Sequence, residues 1–458
     1  MRRDTEGLQA SGAHGASRAN LDAITSHSPA ENSTEHLTKG VGRVAVTGFY
    51  AAWRVGTGWR EVRSSPHARV ANVLRGCCQS AMPAGALGAE PSGLSWGARV
   101  ALPPKSYLAQ PDVLRSRARD ELAGAGLFDR PSRRLKADPE GVGVSFSASK
   151  GFWPQRLEEQ FFDVVDWLCC DGAARSLARA IGSRGPVLSP VAACATGSHS
   201  ISVGAGWIRD GRCSVVVAGA VERPAEPLVV AGYRALGALS PTQEVRPFDV
   251  RRDGFSFNAG MGFLVLEDAR AARARGASIH AYLAGQASGS DATNLLALDP
   301  AGDSIVSVAR KALAPAPQVL AAHPAQDTAA VDYINAHGTG TAAGDATEAR
   351  ALRRLFPAAA WGLEPGQDGQ VLVASSTKGL TGHLMGASGA VEAALCVQAL
   401  LEGFAPPNLG LEEVDAECEF AWLVPAQAGS WRRRELRRAL SLSYGFGGHT
   451  AALLFEKP

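Results

Sequence analysis

A chain of 458 residues with 46% hydrophobic and 20% charged side chains is globular in composition, with room for two or three ordinary domains or one large duplicated one. Its formal charge of +2 gives no electrostatic ground for nucleic acid or a membrane surface as partner. Met1-Arg2-Arg3-Asp4-Thr5 leads into polar residues without the apolar core of a secretory signal, and no apolar run approaches the roughly 18 residues of a membrane span. The eight cysteines show no CxxC spacing, so reduced thiols, no metal site and a cytoplasmic location are expected.

Residues 1–40 carry little periodic apolar signal and read as a mobile extension. Order begins with a β-rich run at 43–48. The stretch from 50 to 135 is scattered with Pro, Gly and Arg and offers mainly a helix candidate at 111–125. A strand is expected at 141–146 and an amphipathic helix at 154–170, opened by Pro154. A short strand at 187–193 should lead into a helix at 195–210 stopped by Gly211, with covered strands at 214–219 and 262–267. The second half repeats this logic, with helices at 302–314, 344–355 and 387–402 and strands at 331–335, 371–375, 439–444 and 450–455. The alternation predicts an α/β fold with mainly parallel, covered sheet. The order of elements suggests two duplicated halves, although the residues themselves show no repeat.

Cys194 falls where a strand turns into a helix. Unpaired N–H groups of the first helical turn favour negative charge, so a thiol there is expected to have a lowered pKa and to act as a nucleophile. An inert buried thiol is the alternative. The helix that follows carries Gly197, Ser198, Ser200, Ser202, Gly204 and Gly206, a poor helix composition that makes sense if other backbone packs closely against it. Two histidines, His337 and His383, lie on separate glycine-rich loops after strand candidates, where ligands gather in α/β proteins. Each alone would read as an imidazole tying loops together; as a pair they point to a site. Lys378 needs a partner if buried, and Glu348 is the expected one, which would also suit a purely structural ion pair.

These stretches resemble those of the β-ketoacyl synthases of the thiolase-like superfamily. The carriers of the resemblance are ACATG around Cys194, RPFDxxRDGF over 246–255, HGTGTxxGDxxE over 337–348, KGxTGHxxGASG over 378–389 and GFGG over 445–448. The resemblance covers roughly 41–458 and implies a thiolase-like, five-layered αβαβα fold of two duplicated halves, 41–270 and 271–458. It implies that Cys194 takes an acyl chain from the phosphopantetheine arm of an acyl carrier protein. His337 and His383 would stabilise the enolate left when a malonyl group loses carbon dioxide. The N–H groups of Cys194 and Phe446 would form the oxyanion hole, Lys378 oriented by Glu348 would support the His383 loop, and Thr339 and Thr341 would bond the phosphopantetheine arm. No permanently bound cofactor is implied, and the family's homodimer is expected, with a heterodimer as the variant.

The Cys/His/His set points to chain elongation in fatty acid or polyketide assembly. A thiolase-like acyltransferase using coenzyme A would need a second catalytic cysteine where His383 stands, and Cys396 lies too far along its helix. A non-catalytic partner subunit is the remaining alternative. Three departures, Ala259 for an acidic residue, Leu442 for Asn and Thr450 for Asn, suggest a specialised branch. Phe146, Phe152 and Trp153 are candidates for an acyl tunnel or for ordinary core, and the basic run over 431–438 for a carrier dock or a solvated surface.

Overall fold

The structure is a computed structural model that describes residues 43–55, 58–63, 111–150, 169–223, 227–314, 331–356, 372–425 and 435–458. The extension over 1–40, the helix expected at 154–170, Phe152, Trp153 and the start of the 431–438 run lie outside the described residues.

Thirteen strands are present among the described residues. In the first half they are β1 (Val44–Val55), β2 (Gly58–Arg63), β3 (Phe128–Asp129), β4 (Arg134–Leu135), β5 (Val142–Ala148), β6 (Val187–Leu188), β7 (Val215–Glu222) and β8 (Gly260–Asp268). In the second they are β9 (Ala281–Ser290), β10 (Tyr333–Asn335), β11 (Val373–Ser375), β12 (Arg438–Gly445) and β13 (His449–Glu456). The first-half order is β6-β5-β7-β8-β1 and the second-half order β11-β10-β12-β13-β9. Each is third-second-fourth-fifth-first in chain order. Within each, the first two pairings are parallel and the last two antiparallel. Duplication, invisible in the residues, is plain in the topology.

The α/β, thiolase-like class holds, but each half is mixed rather than mainly parallel. The cause is clearest at β12 and β13, which are joined through Phe446, Gly447 and Gly448, with Gly445 paired to His449. So short a connection forces antiparallel pairing. Gly447 and Gly448 adopt φ of 81° and 75°, which glycine reaches without strain. The two halves join where Val44–Val46 of β1 pair with residues 281–283 of β9, giving one 11-stranded sheet. The strand expected at 187–193 shrinks to Val187–Leu188, because the chain then turns to present Cys194.

Two helices lie at the centre, α1 (Thr196–Arg209) and α2 (Ser388–Glu402). Every residue of α2 from Ser388 to Leu400 is buried, as expected of a helix with neighbours on all sides. The helices cross where neither can carry a side chain. A Cβ on Gly197 would stand 2.5 Å from Ala390 N, and one on Gly389 would stand 2.9 Å from Ser198 N and 2.8 Å from Ser443 Oγ. Both helices start from a 3₁₀ turn, Ala193–Ala195 before α1 and Met385–Ala387 before α2. The first residue of each turn takes a left-handed conformation, φ 46° at Ala193 and 48° at Met385. Cys194 and Gly386 are thus equivalent positions of the two halves. No helix among the described residues is long and apolar enough to cross a membrane.

Candidate active site

The turn bearing Cys194 is clamped by its own helix. Thr196 Oγ1 accepts the Ala192 N–H at 2.9 Å and donates to Ala193 O at 2.7 Å. Cys194 is 6% exposed and packs with Phe255 and Met385. Burial pushes its thiol up to about 12, while Lys378 and Lys150 pull it down. The sequence-based expectation of a lowered pKa is therefore overturned: desolvation of the thiolate outweighs the favourable field, and the resting side chain is a thiol.

His337 follows β10 on a loop shaped by two acids of the helix Ala342–Leu355. Glu348 accepts the N–H groups of His337 and Gly338 at 2.8 and 2.7 Å. Asp345 accepts those of Thr339 and Gly340 at 3.0 and 3.1 Å, and that of Phe248 at 2.7 Å. Three residues apart, the two carboxylates share one helix face. Burial pushes Glu348 up to about 7 and Asp345 up to about 6, against the opposing pull of these donors.

Lys378 is fully buried, and its ion partner is not Glu348. Its Nζ lies 2.5 Å from Glu392 Oε1, 2.5 Å from the His337 carbonyl and 3.2 Å from His337 Nδ1. Glu348 is spent on backbone N–H groups, and Lys378 bonds directly to the His337 loop while its charge reaches His383 as well. Because an ammonium has only donors, His337 Nδ1 must accept, which leaves the ring proton on Nε2. His383 reaches the same tautomer by another route. Its Nδ1 accepts the Met385 N–H at 3.2 Å and lies 3.0 Å from the Ser388 hydroxyl. Burial, then the charge of Lys378, holds both imidazoles well below 6.5, so both are neutral. Their ring centroids are 5.7 Å apart.

Cys194, His337, His383, Thr339, Thr341 and Phe446 line one cavity of about 730 Å³. The turn before β13 closes on the nucleophile: a Cβ on Gly445 would lie 2.8 Å from Cys194 N. Phe446 stacks on Tyr233 with centroids 5.6 Å apart. The Thr339 and Thr341 hydroxyls are 3.0 Å from each other. Phe146 is fully buried in the core and does not line this cavity, and Cys396 is buried within α2. Ala259 and Leu442 sit in apolar burial, and the Thr450 hydroxyl is buried without a hydrogen-bond partner among the described residues. Within the basic run, Arg437 pairs with Glu435 at 3.1 Å, both well exposed, as a solvated surface would have it.

Sequence reasoning missed Glu392, Ser388, Tyr233 and Tyr444. Ser388 and Glu392 are one helical turn apart, a spacing that could have marked them as sharing the face next to Lys378 and His383. Tyr444 stands edge-on to His337, with centroids 5.3 Å apart, and no spacing rule predicts that contact.

Two family models match the chain: the N-terminal domain of beta-ketoacyl synthase over 129–272 and its C-terminal domain over 280–412. The chain is 38% identical over 282 residues to 3-oxoacyl-acyl-carrier-protein synthase 2 of Synechocystis, a match spanning 60% of this chain and 63% of that protein, less than two thirds of its length. It is 33% identical over 308 residues to the enzyme of the same name from Staphylococcus aureus, spanning 66% of this chain and 69% of that one. Among solved structures, a type II polyketide ketosynthase in complex with its acyl-carrier protein and bound to the hexaketide superposes with a TM-score of 0.69 at 24% identity, over 91% of this chain and 100% of that one. A beta-ketoacyl synthase of Burkholderia phymatum superposes with a TM-score of 0.68 at 23% identity, over 91% and 100%. These two likenesses concern the fold.

Proposed function

The chain belongs to the beta-ketoacyl synthase family, and from that premise we propose that it is a 3-oxoacyl-acyl-carrier-protein synthase working by decarboxylative condensation in fatty acid or polyketide assembly. The observation that carries the reading is a pair of neutral imidazoles, each with Nδ1 occupied as an acceptor, lining one cavity with a buried thiol. Nε2–H is then the polar group each has left to offer a substrate oxygen.

In the first half-reaction, Cys194 Sγ attacks the thioester carbonyl of an acyl group delivered on the phosphopantetheine of an acyl carrier protein. The thiol proton ends on the released phosphopantetheine sulfur, and Cys194 keeps the acyl group as a thioester. Burial, which pushes the thiol up to about 12, makes the nucleophilic thiolate a minor species in the resting enzyme. In the second, the carbonyl oxygen of a malonyl thioester accepts the Nε2–H groups of His337 and His383. As the carboxylate leaves as carbon dioxide, its electron pair forms the enolate, whose charge those donors stabilise. The enolate carbon attacks the acyl carbonyl, the oxyanion accepts the N–H groups of Cys194 and Phe446, and collapse expels Cys194 sulfur. That sulfur takes one proton from solvent, which balances the reaction. Thr339 and Thr341 hold the phosphopantetheine arm at the cavity wall.

Residues 41–270 and 271–458 act as two halves of one catalytic unit, a reading supported by the repeated strand order. A homodimer is supported by β6, the last strand of the sheet path, with Val187 and Leu188 39% and 48% exposed, and Val191 beside it 49% exposed. The free cysteines among the described residues fit a cytoplasmic location.

Intact-protein mass spectrometry after incubation with acyl carrier proteins bearing acyl groups of different lengths tests the reading. An adduct is expected on the wild type and on His383→Ala, and none on Cys194→Ala; carbon dioxide release from malonyl carrier protein should be lost in His383→Ala. A wild-type protein that takes no acyl group from any carrier would instead be a partner subunit.

A further inference from the structure

Glu222 ends β7, its side chain is fully buried, and the chemistry above gives it no part. Its Oε1 pairs with Lys150 Nζ at 2.5 Å. Its Oε2 accepts the Gly386 N–H at 3.2 Å and the hydroxyl of Ser149. Gly386 is the middle residue of the Met385–Ala387 turn, where a Cβ would stand 3.2 Å from Glu222 Oε2, so the turn sits directly on the carboxylate. The same turn supplies the Met385 N–H that fixes the His383 tautomer, and Met385 packs with Cys194. Met385 holds φ 48°, a left-handed conformation that is strained for a non-glycine residue and persists only where surroundings enforce it. The carboxylate of Glu222, anchored by Lys150, is one such enforcing contact.

We propose that Glu222, charge-balanced by Lys150, is a positioning residue for the condensation: it holds the Met385–Ala387 turn so that the Met385 N–H keeps His383 an Nε2–H donor. The proposal rests on the synthase reading above. It separates the two half-reactions, because acyl transfer to Cys194 does not call on His383 whereas decarboxylation does. The pair also reaches the thiol electrostatically. The charged groups acting on Cys194 are Lys378, Glu222, Lys150 and Glu392; the two lysines lower its pKa and the two acids raise it. The other titratable groups lining its cavity are the histidines His337 and His383, the tyrosines Tyr233 and Tyr444, the acids Asp345, Glu348 and Glu417, and Arg350.

The experiment compares Glu222→Gln, Lys150→Met and wild type in three readouts: acyl transfer to Cys194, carbon dioxide release from malonyl carrier protein, and the pH profile of Cys194 alkylation by iodoacetamide, followed by peptide mass spectrometry. Glu222→Gln should lower decarboxylation by about 10- to 100-fold, the scale of a catalytic group displaced by about 1 Å. Acyl transfer should fall far less. Alkylation of Cys194 should shift to lower pH in Glu222→Gln, where Lys150 loses its counter-charge, and to higher pH in Lys150→Met. Decarboxylation at the wild-type rate in Glu222→Gln, or equal falls in both half-reactions, would overturn the proposal. If Glu222→Gln does not fold, Lys150→Met decides: with the carboxylate's anchor removed, carbon dioxide release should fall more than acyl transfer, and release at the wild-type rate overturns the proposal. Should the wild type itself neither accept acyl groups nor release carbon dioxide, the synthase reading fails, and the alkylation profiles still report where Glu222 and Lys150 act.

Discussion

Replacing Gly197 by alanine puts a methyl group where α1 crosses α2. The added Cβ would lie 2.5 Å from Ala390 N, 2.8 Å from Ala390 Cβ and 3.2 Å from Ala390 Cα, and two of these three atoms are backbone of a helix buried from Ser388 to Leu400. Comfortable contact needs roughly 3.5–4.0 Å, so the helices must part by about 1 Å. Overpacking of this kind costs about 1–3 kcal/mol. The better helix propensity of alanine returns about 0.5–1 kcal/mol, which leaves a net loss of about 1.3 kcal/mol at mid-range and about 2.5 kcal/mol at most. Gly206 in the same helix has nothing within 4 Å of its added Cβ, so Gly206→Ala should stabilise by about 0.5–1 kcal/mol. Urea unfolding followed by tryptophan fluorescence reads both signs in one series. The Cys194 turn begins α1 and the His383 loop begins α2, so the same separation moves nucleophile from donor. Condensation in Gly197→Ala should fall by about tenfold or more, with Gly206→Ala unaffected. A Gly197→Ala protein as stable as wild type would refute the close crossing, and equal destabilisation of both variants would show that general helix loosening, not contact with Ala390, is responsible.

Two further predictions concern the donors. Both imidazoles have pKa values depressed well below 6.5. They stay neutral in the folded protein as pH falls through 6.5 while the unfolded chain takes up protons, so their stabilising contribution is present above pH 6.5 and is lost as pH falls towards their folded values. In a Glu348→Gln background, which removes the carboxylate pushed up to about 7, the residual carbon dioxide release from malonyl carrier protein should accordingly stay level through pH 6.5 and fall only in more acid solution; a half-maximal loss near 6.5 there would mean ordinary, hydrated histidines. Glu348→Gln substitutes an amide that can accept only one of the two N–H groups now bonded at 2.8 and 2.7 Å, and leaves a buried donor unpaired at a cost of about 1–3 kcal/mol. Its condensation rate should drop while acyl transfer to Cys194 persists, and intact condensation in single-turnover assays would show that Glu348 does not shape the His337 loop.

Much of the fold could be read from local pattern. The helices Asp303–Leu313 and Ser388–Glu402 and the strands β12 and β13 lie within a residue or so of their expected bounds, because apolar spacing and flanking glycines act over a single turn or strand. Strand β9 escaped notice because AYLAGQASGS is built from small residues with weak strand propensity. Gly285 explains the composition: its added Cβ would collide with the carbonyl of Ala312 on the helix packed above, so the strand is small to let that helix approach.

The residues of the site follow the same division. Cys194, His337 and His383 stood out in short glycine-punctuated stretches that encode both the turn and the side chain it presents, Thr339, Thr341 and Phe446 entered through the family resemblance, and all six line the cavity. What the site does with charge was decided only by the tertiary structure. The sequence offered Glu348 as the partner of Lys378, and the fold gave it Glu392, which had gone unnoticed, while Glu348 was consumed by backbone N–H groups. A helix start argued for a thiolate at Cys194, and burial from both halves of the molecule made it a thiol. Turn geometry is a property of adjacent residues, whereas ion partners, tautomers and desolvation depend on which distant groups the folded chain packs around an atom, and no spacing in the sequence carries that information.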